Sequence, residues 1–414
     1  MEYRRITPVD VLHLRGNRLF AEGGGARPVM PPWPSLFSGA LRSQILTRHD
    51  ALSAFLTGTL GGEVGAVVGS RREDGAIPGS LRLGPILLLR ERNGAGAELL
   101  FPVPADLAVQ RATSSTEQGG AARREVRYLQ PTNVRGFGVS GSFEGEQLPV
   151  LRAGEPAKPE AGLWLTEDGF SAYLAGDVPS ASTLVSSHEL WADDPRLGIA
   201  MDPGARTAEA GMLYTSTAVA LRPGVSFVVC LAGAGDGVVP ADGLLRLGGD
   251  GHGAAVEPWN PTTDRQTRSL RHVPRAVERF KLVTASPCLF PGGWHPCENR
   301  DDRRVLVRRS PSGEEIARSR LVCAAVPRHE VVSGWDLAEG RPKPAERVVP
   351  TGAVYWFEVE QGSVEDFAII PDEGLWPLLR TATDGSNPGG PDASSTAWRR
   401  AEGFNNAWLA EWKN

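Results

Sequence analysis

The chain has 414 residues, 41% of them hydrophobic and 22% charged, with a formal net charge of −5. This length exceeds one ordinary core and indicates two globular domains, while the acidic balance excludes a general attraction to phosphate. The sequence has no run of the roughly eighteen apolar residues that a membrane helix needs, no signal segment and too few cysteines for a disulfide framework. We therefore expect a reduced, cytoplasmic protein without a membrane partner.

The first predicted elements are a strand from Tyr3 to Leu14, broken at Pro8, and a helix that follows the proline-rich segment 31–34. Ser35 is predicted to cap this helix, because its hydroxyl accepts a free N–H group of the first turn. Apolar residues at helical spacing predict one buried face, formed by Phe37, Leu41 and Ile45.

Gly39 and Arg42 lie in the same predicted helix. Glycine costs a helix interior roughly 1 kcal/mol relative to alanine, which indicates that another backbone or a ligand approaches Gly39. Arg42 is predicted to project from the helix, because Leu41 and Ile45 fill the buried face. On pattern alone, an ordinary capped core helix is the simpler alternative.

The rest of the chain is mostly β. Alternating or continuous apolar runs predict strands at 84–91, 98–103, 163–165, 225–231, 280–285, 321–326 and 353–359, and residues 171–174 are predicted to be helical. The order strand–helix–strand occurs near the start and again after residue 225. This order predicts an α+β fold with two units, residues 1–215 and 216–414.

Two glycine-rich loops are candidate ligand sites. The segment 248–253 has glycines at which successive backbone N–H groups could line a phosphate, although it matches neither the dinucleotide fingerprint nor the P-loop. The segment 290–296 contains Trp294, which is predicted either to stack an unpaired base or to plug a hinge between layers.

Positive charge is concentrated in the second half of the chain. Between Arg265 and His329, 14 Arg and Lys residues stand against six Asp and Glu residues, a local excess of +8 that leaves −13 for the remainder. Such a segment can attract a polyanion, and arginine suits bidentate phosphate contacts. The alternative is a set of surface arginines, each with a salt-bridge partner.

Several motifs together resemble one family. They are the segments 34–42, 101–107, 196–202 and 206–214, and the tract from Gly334-Trp335-Asp336 to Val349-Pro350-Thr351-Gly352-Ala353-Val354-Tyr355. In this order, from about Tyr3 to Phe404, they are similar to the crRNA-tag-binding subunit of type III-B CRISPR effector complexes, the third member of the Cmr module in the RAMP superfamily. One departure is the last loop, Gly403-Phe404-Asn405, where RAMP chains often have Gly-aromatic-Gly.

The resemblance implies two ferredoxin-like (RRM-like) domains with β-hairpin insertions and glycine-rich loops that face RNA. It implies a non-catalytic subunit in antiviral defence that holds the 5′ repeat-derived tag of crRNA and docks the large polymerase-like subunit. A neighbouring backbone RAMP subunit is a further expected partner, and target RNA an indirect one. No cofactor, metal or catalytic residue is expected.

The predicted RNA-binding residues come from these motifs, the glycine loops and the basic segment; Arg275 and Arg303 rest on charge alone. They are Ser35, Ser38, Arg42, Arg206, Gly248, Gly249, Gly251, His252, Arg275, Gly292, Gly293, Trp294, Arg303, Trp335 and Lys343.

Two other functions remain open. Some RAMP relatives are endoribonucleases that cut precursor RNA with a histidine, and His252 and His295 lie in glycine-flanked loops where general acid–base chemistry is feasible. A metal enzyme would use Cys288, His295 and Cys297, but this spacing lacks a second pair of structural-zinc ligands.

Overall fold

The structure, a computed structural model, describes residues 2–14, 29–72, 75–92, 94, 96–111, 124–134, 136, 138, 147–152, 158–262, 266, 271–276, 278–300, 303–337, 339–379 and 393–413. Its helices are α1 (Pro34–Arg48), α2 (Leu52–Leu56), α3 (Gly62–Val68), α4 (Glu167–Leu174), α5 (Ile370–Glu373) and α6 (Ala393–Glu402). None of these described helices combines the length and apolar character needed to cross a bilayer.

The strands dominate the fold. They are β1 (Glu2–Pro8), β2 (Gly69–Arg72), β3 (Gly75–Pro78), β4 (Arg82–Arg92), β5 (Gly96–Pro102), β6 (Leu107–Arg111), β7 (Arg124–Asn133), β8 (Gln147–Leu151), β9 (Leu163–Thr166), β10 (Leu184–Ser186), β11 (Trp191–Asp202), β12 (Thr207–Leu221), β13 (Val225–Ala232), β14 (Gly243–Arg246), β15 (Gly253–Trp259), β16 (Arg279–Thr284), β17 (Glu298–Arg300), β18 (Arg303–Arg309), β19 (Glu315–Ala325), β20 (Glu330–Val332), β21 (Trp335–Asp336), β22 (Arg341–Pro342), β23 (Glu346–Val348), β24 (Val354–Gln361) and β25 (Ala407–Glu411).

Two antiparallel sheets organise the molecule. The first has eight strands in the order β10-β9-β5-β4-β13-β1-β15-β14, and the second has six in the order β17-β18-β19-β24-β16-β25. The predicted division between residues 215 and 216 falls inside β12, and the strands through Trp259 pair within the first sheet. The two sheets therefore divide near residue 260, because β13 and β15 both pair with β1.

Each sheet contains four central strands in the same relative order. In the first, β13 lies between β4 and β1, and β15 flanks β1; in the second, β24 lies between β19 and β16, and β25 flanks β16. This is the order of a ferredoxin-like sheet, but among the described residues only one of the two expected connections in each sheet contains a helix of ten residues or more, α1 in the first and α6 in the second. The α+β class agrees with the sequence prediction, while the ferredoxin-like assignment stays a prediction.

The hydrophobic core lies in layers on both faces of the sheets. Along β4, Leu87 and Leu89 belong to the cluster between the sheets, whereas Ile86 and Leu88 belong to the cluster beneath α1. The continuous apolar run of β4 is explained by this burial on both faces. Between the sheets, Phe170 stacks on Phe101 and meets Trp408 of the second sheet edge-on, at 4.0 and 4.9 Å between ring centroids.

Helix α1 begins at Pro34, with Trp33 in the N-cap position. Proline suits the first helical position because it lacks the N–H group that would be unpaired there. Ser35 therefore lies inside the first turn, and the prediction that it caps the helix is wrong. The predicted apolar face is confirmed, since Phe37, Leu41 and Ile45 are fully buried.

A long two-stranded hairpin, β11–β12, extends from the first half of the chain. Its base is attached to the first half, because Leu12 and Val219 exchange backbone hydrogen bonds of 2.8 Å. Toward its end, large apolar side chains are exposed on both strands: Leu197, Ile199, Met201, Met212, Leu213 and Tyr214. The hairpin agrees with the predicted β-hairpin insertions.

In the last loop, Asn405 stands where the Gly-aromatic-Gly pattern has its second glycine. Asn405 adopts a φ of +61°, a conformation that glycine usually supplies and that asparagine tolerates. Its buried amide accepts from the N–H group of Leu289 at 2.6 Å and donates to the carbonyl of Leu289 at 3.0 Å. The asparagine thus fixes the loop internally.

Candidate nucleic-acid interface

A groove with a volume of about 1390 Å³ lies where the two halves of the chain meet. Helix α1 and strand β14 of the first half line it, together with the hairpin β21–β22 and helix α6 of the second half. Six of the predicted RNA-binding residues come together here: Ser35, Ser38, Arg42, Gly248, Trp335 and Lys343. They derive from three distant segments of the sequence, so the fold has assembled them into one site.

Arg42 lies at the base of the groove and is buried, with 7% of its surface exposed. Its guanidinium donates to the Ser38 hydroxyl, to the Leu81 carbonyl at 2.7 Å and to the Val68 carbonyl at 3.3 Å. Burial lowers the pKa of Arg42 to about 10, against the opposing effect of the Glu402 charge. The prediction that Arg42 projects from the helix is wrong, because these three acceptors hold it inward.

Positive side chains outnumber negative ones in the groove, six against four. Lys343 and Arg399 are both paired with Glu402, at 2.6 and 2.9 Å. Arg48 and Arg246 are exposed, and neither has a carboxylate partner among the described residues. These two arginines are therefore available to an anionic ligand.

The sequence prediction missed Arg48 and Arg246. The sequence did contain a signal for Arg48. Gly39, Ser43 and Thr47 recur every four residues and mark the exposed side of α1, and Arg48 is the residue next to Thr47. All three of these small residues line the groove. Arg246 had no comparable signal, since its position depends on the pairing of β14 with β15.

The hairpin β21–β22 carries Trp335 and leads to Lys343. Its backbone is closed by pairing of Trp335 with Pro342, and the N–H group of Lys343 donates to the Gly334 carbonyl at 2.9 Å. The Lys343 ammonium is tied to Glu402 of α6. The hairpin is thereby anchored to the helix that lines the same groove.

The glycine loop 248–253 is held by the first strand region. The N–H group of Gly249 donates to the His13 carbonyl at 2.9 Å, so this donor is not free for a phosphate as predicted. The His252 ring lies 5.2 Å from that of His13, and His13 Nε2 is 3.8 Å from a carboxylate oxygen of Asp250. Of this loop, Gly248 and Gly253 line the groove; Gly249, Gly251 and His252 do not.

The loop around Trp294 packs against the second sheet, outside the groove. Trp294 is half-buried, the Arg304 guanidinium lies 5.4 Å from its ring centroid, and Tyr355 donates to its carbonyl at 2.6 Å. A Cβ on Gly292 would lie 2.5 Å from His295, so this glycine makes room for the imidazole. These contacts favour the packing alternative for Trp294; Gly293, beside it, adopts a φ of +86°.

The remaining predicted arginines are dispersed. Arg206 is exposed in the turn between β11 and β12, Arg275 is exposed on a connection, and Arg303 on β18 lies 3.5 Å from Glu360. None of the three lines the groove.

The basic segment forms a network of ion pairs on the second sheet. Arg309 bonds to Glu298 at 2.5 Å, Arg300 to Glu315 at 2.7 Å, and Arg320 to Glu358 at 2.5 Å. Glu358 lies outside the segment in which the excess of +8 was counted. The alternative of paired surface arginines is thus observed for part of the segment, whereas Glu298 and Glu315 were already included in the count.

A buried ion pair that sequence reasoning missed connects the two halves. Lys281 of β16 bonds to Asp106 at 2.9 Å, and Tyr173 donates to the same carboxylate at 2.9 Å. Both charged side chains are almost inaccessible, at 4% and 0% exposed. Burial lowers the pKa of Lys281, although Asp106 opposes the shift. Aromatic faces of Tyr128 and Tyr173 lie 4.3 and 4.1 Å from its ammonium.

The candidate metal ligands are buried packing residues. Burial raises the pKa of the Cys288 and Cys297 thiols well above the usual value, which opposes the thiolate that a metal requires. His295 accepts at Nδ1 from the Cys297 N–H group at 3.3 Å. Within the described residues, no three His, Cys, Asp or Glu side chains are grouped as metal ligands would be.

Comparison with known proteins identifies the family. The model of the family CRISPR-associated protein (Cas_Cmr3) matches residues 4–412. A chain in the cryo-EM structure of the type III-B Cmr-beta bound to cognate target RNA and AMPPnP is similar at 13% identity and a TM-score of 0.50, covering 98% of this chain and 96% of that chain. A chain of Cmr-beta bound to cognate target RNA is similar at 12% identity and a TM-score of 0.49, with the same coverage.

No curated protein matches the chain. The first of these structures shares the fold at 13% identity, whereas the family match spans nearly the whole sequence and includes the motifs from which the resemblance was inferred. The chain therefore belongs to the Cas_Cmr3 family of CRISPR-associated proteins and is a type III-B Cmr subunit, as its motifs predict.

Proposed function

We propose that this Cmr subunit binds the 5′ repeat-derived tag of crRNA in the groove between its two halves and performs no chemistry on it. The observation that carries the proposal is that three distant segments with predicted RNA-binding residues line this one groove, in which Trp335, Arg48 and Arg246 are exposed.

The chemistry of the groove supports an RNA ligand. Six cationic side chains against four carboxylates give it a positive balance within an acidic protein, and Arg48 and Arg246 have no carboxylate partner in the described chain. Cations hold the phosphates of RNA, and aromatic side chains stack its unpaired bases. The groove offers both, since Trp335 is exposed beside Lys343.

We further propose that the subunit docks the large polymerase-like subunit and a neighbouring backbone RAMP subunit. The exposed apolar side chains of the β11–β12 hairpin support this part, because contiguous exposed apolar surface marks interaction sites. Copurification of the subunits with the native chain, and with a variant in which Leu197 and Ile199 are replaced by serine, tests it.

The absence of catalysis is proposed on the state of the two candidate histidines. His295 is 3% exposed, and its pKa is lowered to about 4 by burial and by the charge of Arg304, so it is neutral and enclosed at neutral pH. His252 lies in the first half, against His13. A general acid–base pair must reach the same substrate atoms, and these two histidines occupy separate loops.

The experiment is a comparison of RNA affinities. Fluorescence anisotropy measures binding of the full chain, alone and with the large subunit, to tagged crRNA and to RNA with a scrambled tag at matched salt. We expect preference for the intact tag and affinity that falls as salt rises. Arg48→Ala and Arg246→Ala should each weaken binding, whereas Arg303→Ala, outside the groove, serves as the charge-matched control. Equal affinity for both RNAs would contradict tag recognition.

A further inference from the structure

Trp335 has an unusual environment among the eleven tryptophans of the chain. Its side chain is 60% exposed, whereas every other tryptophan is buried or half-buried. No ring or cation of the described residues lies over it. Most of the other tryptophans have defined partners. Trp33 donates to Glu330, Trp376 donates to the Phe404 carbonyl, and the Arg304 guanidinium lies over the Trp294 ring.

The backbone that carries this exposed ring is held by neighbouring contacts. Trp335 follows Gly334, whose carbonyl accepts from the Lys343 backbone, and the Ser333 hydroxyl donates to the Lys343 carbonyl at 3.1 Å. Lys343 in turn reaches Glu402 of α6 at 2.6 Å. A large apolar surface is thus held open in the groove by a tethered hairpin.

The facing lining favours close approach of a ligand. Gly39 in α1 lies on the groove, and a Cβ built there meets no atom within 4 Å. Internal packing therefore does not require glycine at this position, although glycine weakens the helix. The open space beside α1 leaves room for a chain that passes between the helix and the Trp335 hairpin.

We propose that Trp335 is the platform on which one unpaired base of the bound RNA stacks, while the adjoining phosphates lie toward Arg48 and Arg246. This inference rests on the proposed RNA-binding function and adds its specificity for single strands. The indole face is apolar and flat, as stacking needs, and the positive balance of the groove suits a nucleotide better than an apolar protein side chain. A base within a duplex presents no free face, so the site requires an unpaired nucleotide.

The experiment places 2-aminopurine at each position of the tag in turn and follows its fluorescence on binding to the full chain. We expect strong quenching of the fluorescence at one position. Trp335→Ala should abolish this quenching, whereas Trp335→Phe should retain it. Trp335→Ala should also weaken binding roughly tenfold, within the range found for loss of base stacking. Ile316→Ala is the control, because Ile316 is an exposed apolar residue that does not line the groove.

The outcomes separate this inference from tag recognition. If native protein prefers the tag and Trp335→Ala changes neither affinity nor quenching at any position, the stacking inference is overturned while the proposed function stands. If tagged and scrambled RNA bind equally but both lose affinity through Trp335→Ala, tag recognition fails and stacking stands. If Trp335→Ala binds RNA normally but no longer copurifies with other subunits, Trp335 contacts a protein and the inference is overturned.

Discussion

The burial of Arg42 gives the sharpest test of how the groove is built. We expect Arg42→Ala to lower the free energy of unfolding, although an arginine on a helix beside an RNA groove would ordinarily be assigned to phosphate binding. The side chain is 7% exposed and donates to two backbone carbonyls, those of Val68 and Leu81, and to the Ser38 hydroxyl.

The magnitude follows from the acceptors left behind. Each buried carbonyl that loses its donor costs about 1–3 kcal/mol, and the two carbonyls together outweigh the other effects. Removing the guanidinium also removes the cost of burying its charge, which is expressed in a pKa lowered to about 10. We therefore expect a net loss of about 2–4 kcal/mol.

The assay is urea unfolding of the native chain, Arg42→Ala and Arg42→Met, with RNA anisotropy measured below the transition of each. Arg42→Met keeps most of the packing of the stem, so its difference from Arg42→Ala isolates packing from hydrogen bonding. Arg48→Ala is the matched control on the same helix, with unchanged stability and weaker RNA binding expected. Native-like unfolding of Arg42→Ala combined with lost RNA affinity would refute the inward orientation.

Three further predictions concern the interior and the helix. Lys281→Met leaves Asp106 buried without its cation and should lower the free energy of unfolding by about 3–5 kcal/mol, as measured by urea unfolding. Adding Asp106→Asn to this variant should cost less than Asp106→Asn costs in the native chain, and equal costs would contradict coupling between the two residues. The pKa of His295, held at about 4, means that the unfolded chain takes up a proton that the folded chain excludes, so stability should fall by roughly 3 kcal/mol as the pH falls from about 6.5 to 4. His295→Asn should flatten this dependence, and an unchanged pH profile of unfolding would count against it. Gly39→Ala should stabilise the chain by up to about 1 kcal/mol yet weaken RNA binding, and tighter binding would contradict close approach at α1.

Patterns among neighbouring residues were sufficient to predict the secondary structure of β4 and α1. The apolar run of β4 and the spacing of Phe37, Leu41 and Ile45 depend on which neighbouring residues are buried, and the structure contains both elements as predicted. The predicted cap of α1, Ser35, lies two positions after the observed N-cap Trp33, because proline at the first helical residue competes with serine as a start signal.

Contacts between distant segments were beyond such reasoning. Helical spacing places Arg42 next to the apolar face, but it does not show whether a buried hydrogen-bond acceptor lies within reach of the guanidinium. The acceptors, the carbonyls of Val68 and Leu81, lie 26 and 39 positions further along the chain. The partners Asp106 and Lys281 are 175 residues apart, and the sequence around them does not predict that these charged side chains are buried together. The charge count alone was likewise an incomplete guide, since Glu358 and Glu360 pair with Arg320 and Arg318 of this segment from another strand.

The groove depends on these same long-range contacts, because its lining comes from both halves of the chain. Helix α1 rests on the first sheet, whereas the Trp335 hairpin and α6 belong to the second half. Arg42 approaches the Trp398 ring of α6 at 5.7 Å, and Lys281 joins the sheets at Asp106. These contacts hold together the two halves that line the groove, and we expect variants that loosen them to weaken RNA binding as well as to lower the free energy of unfolding.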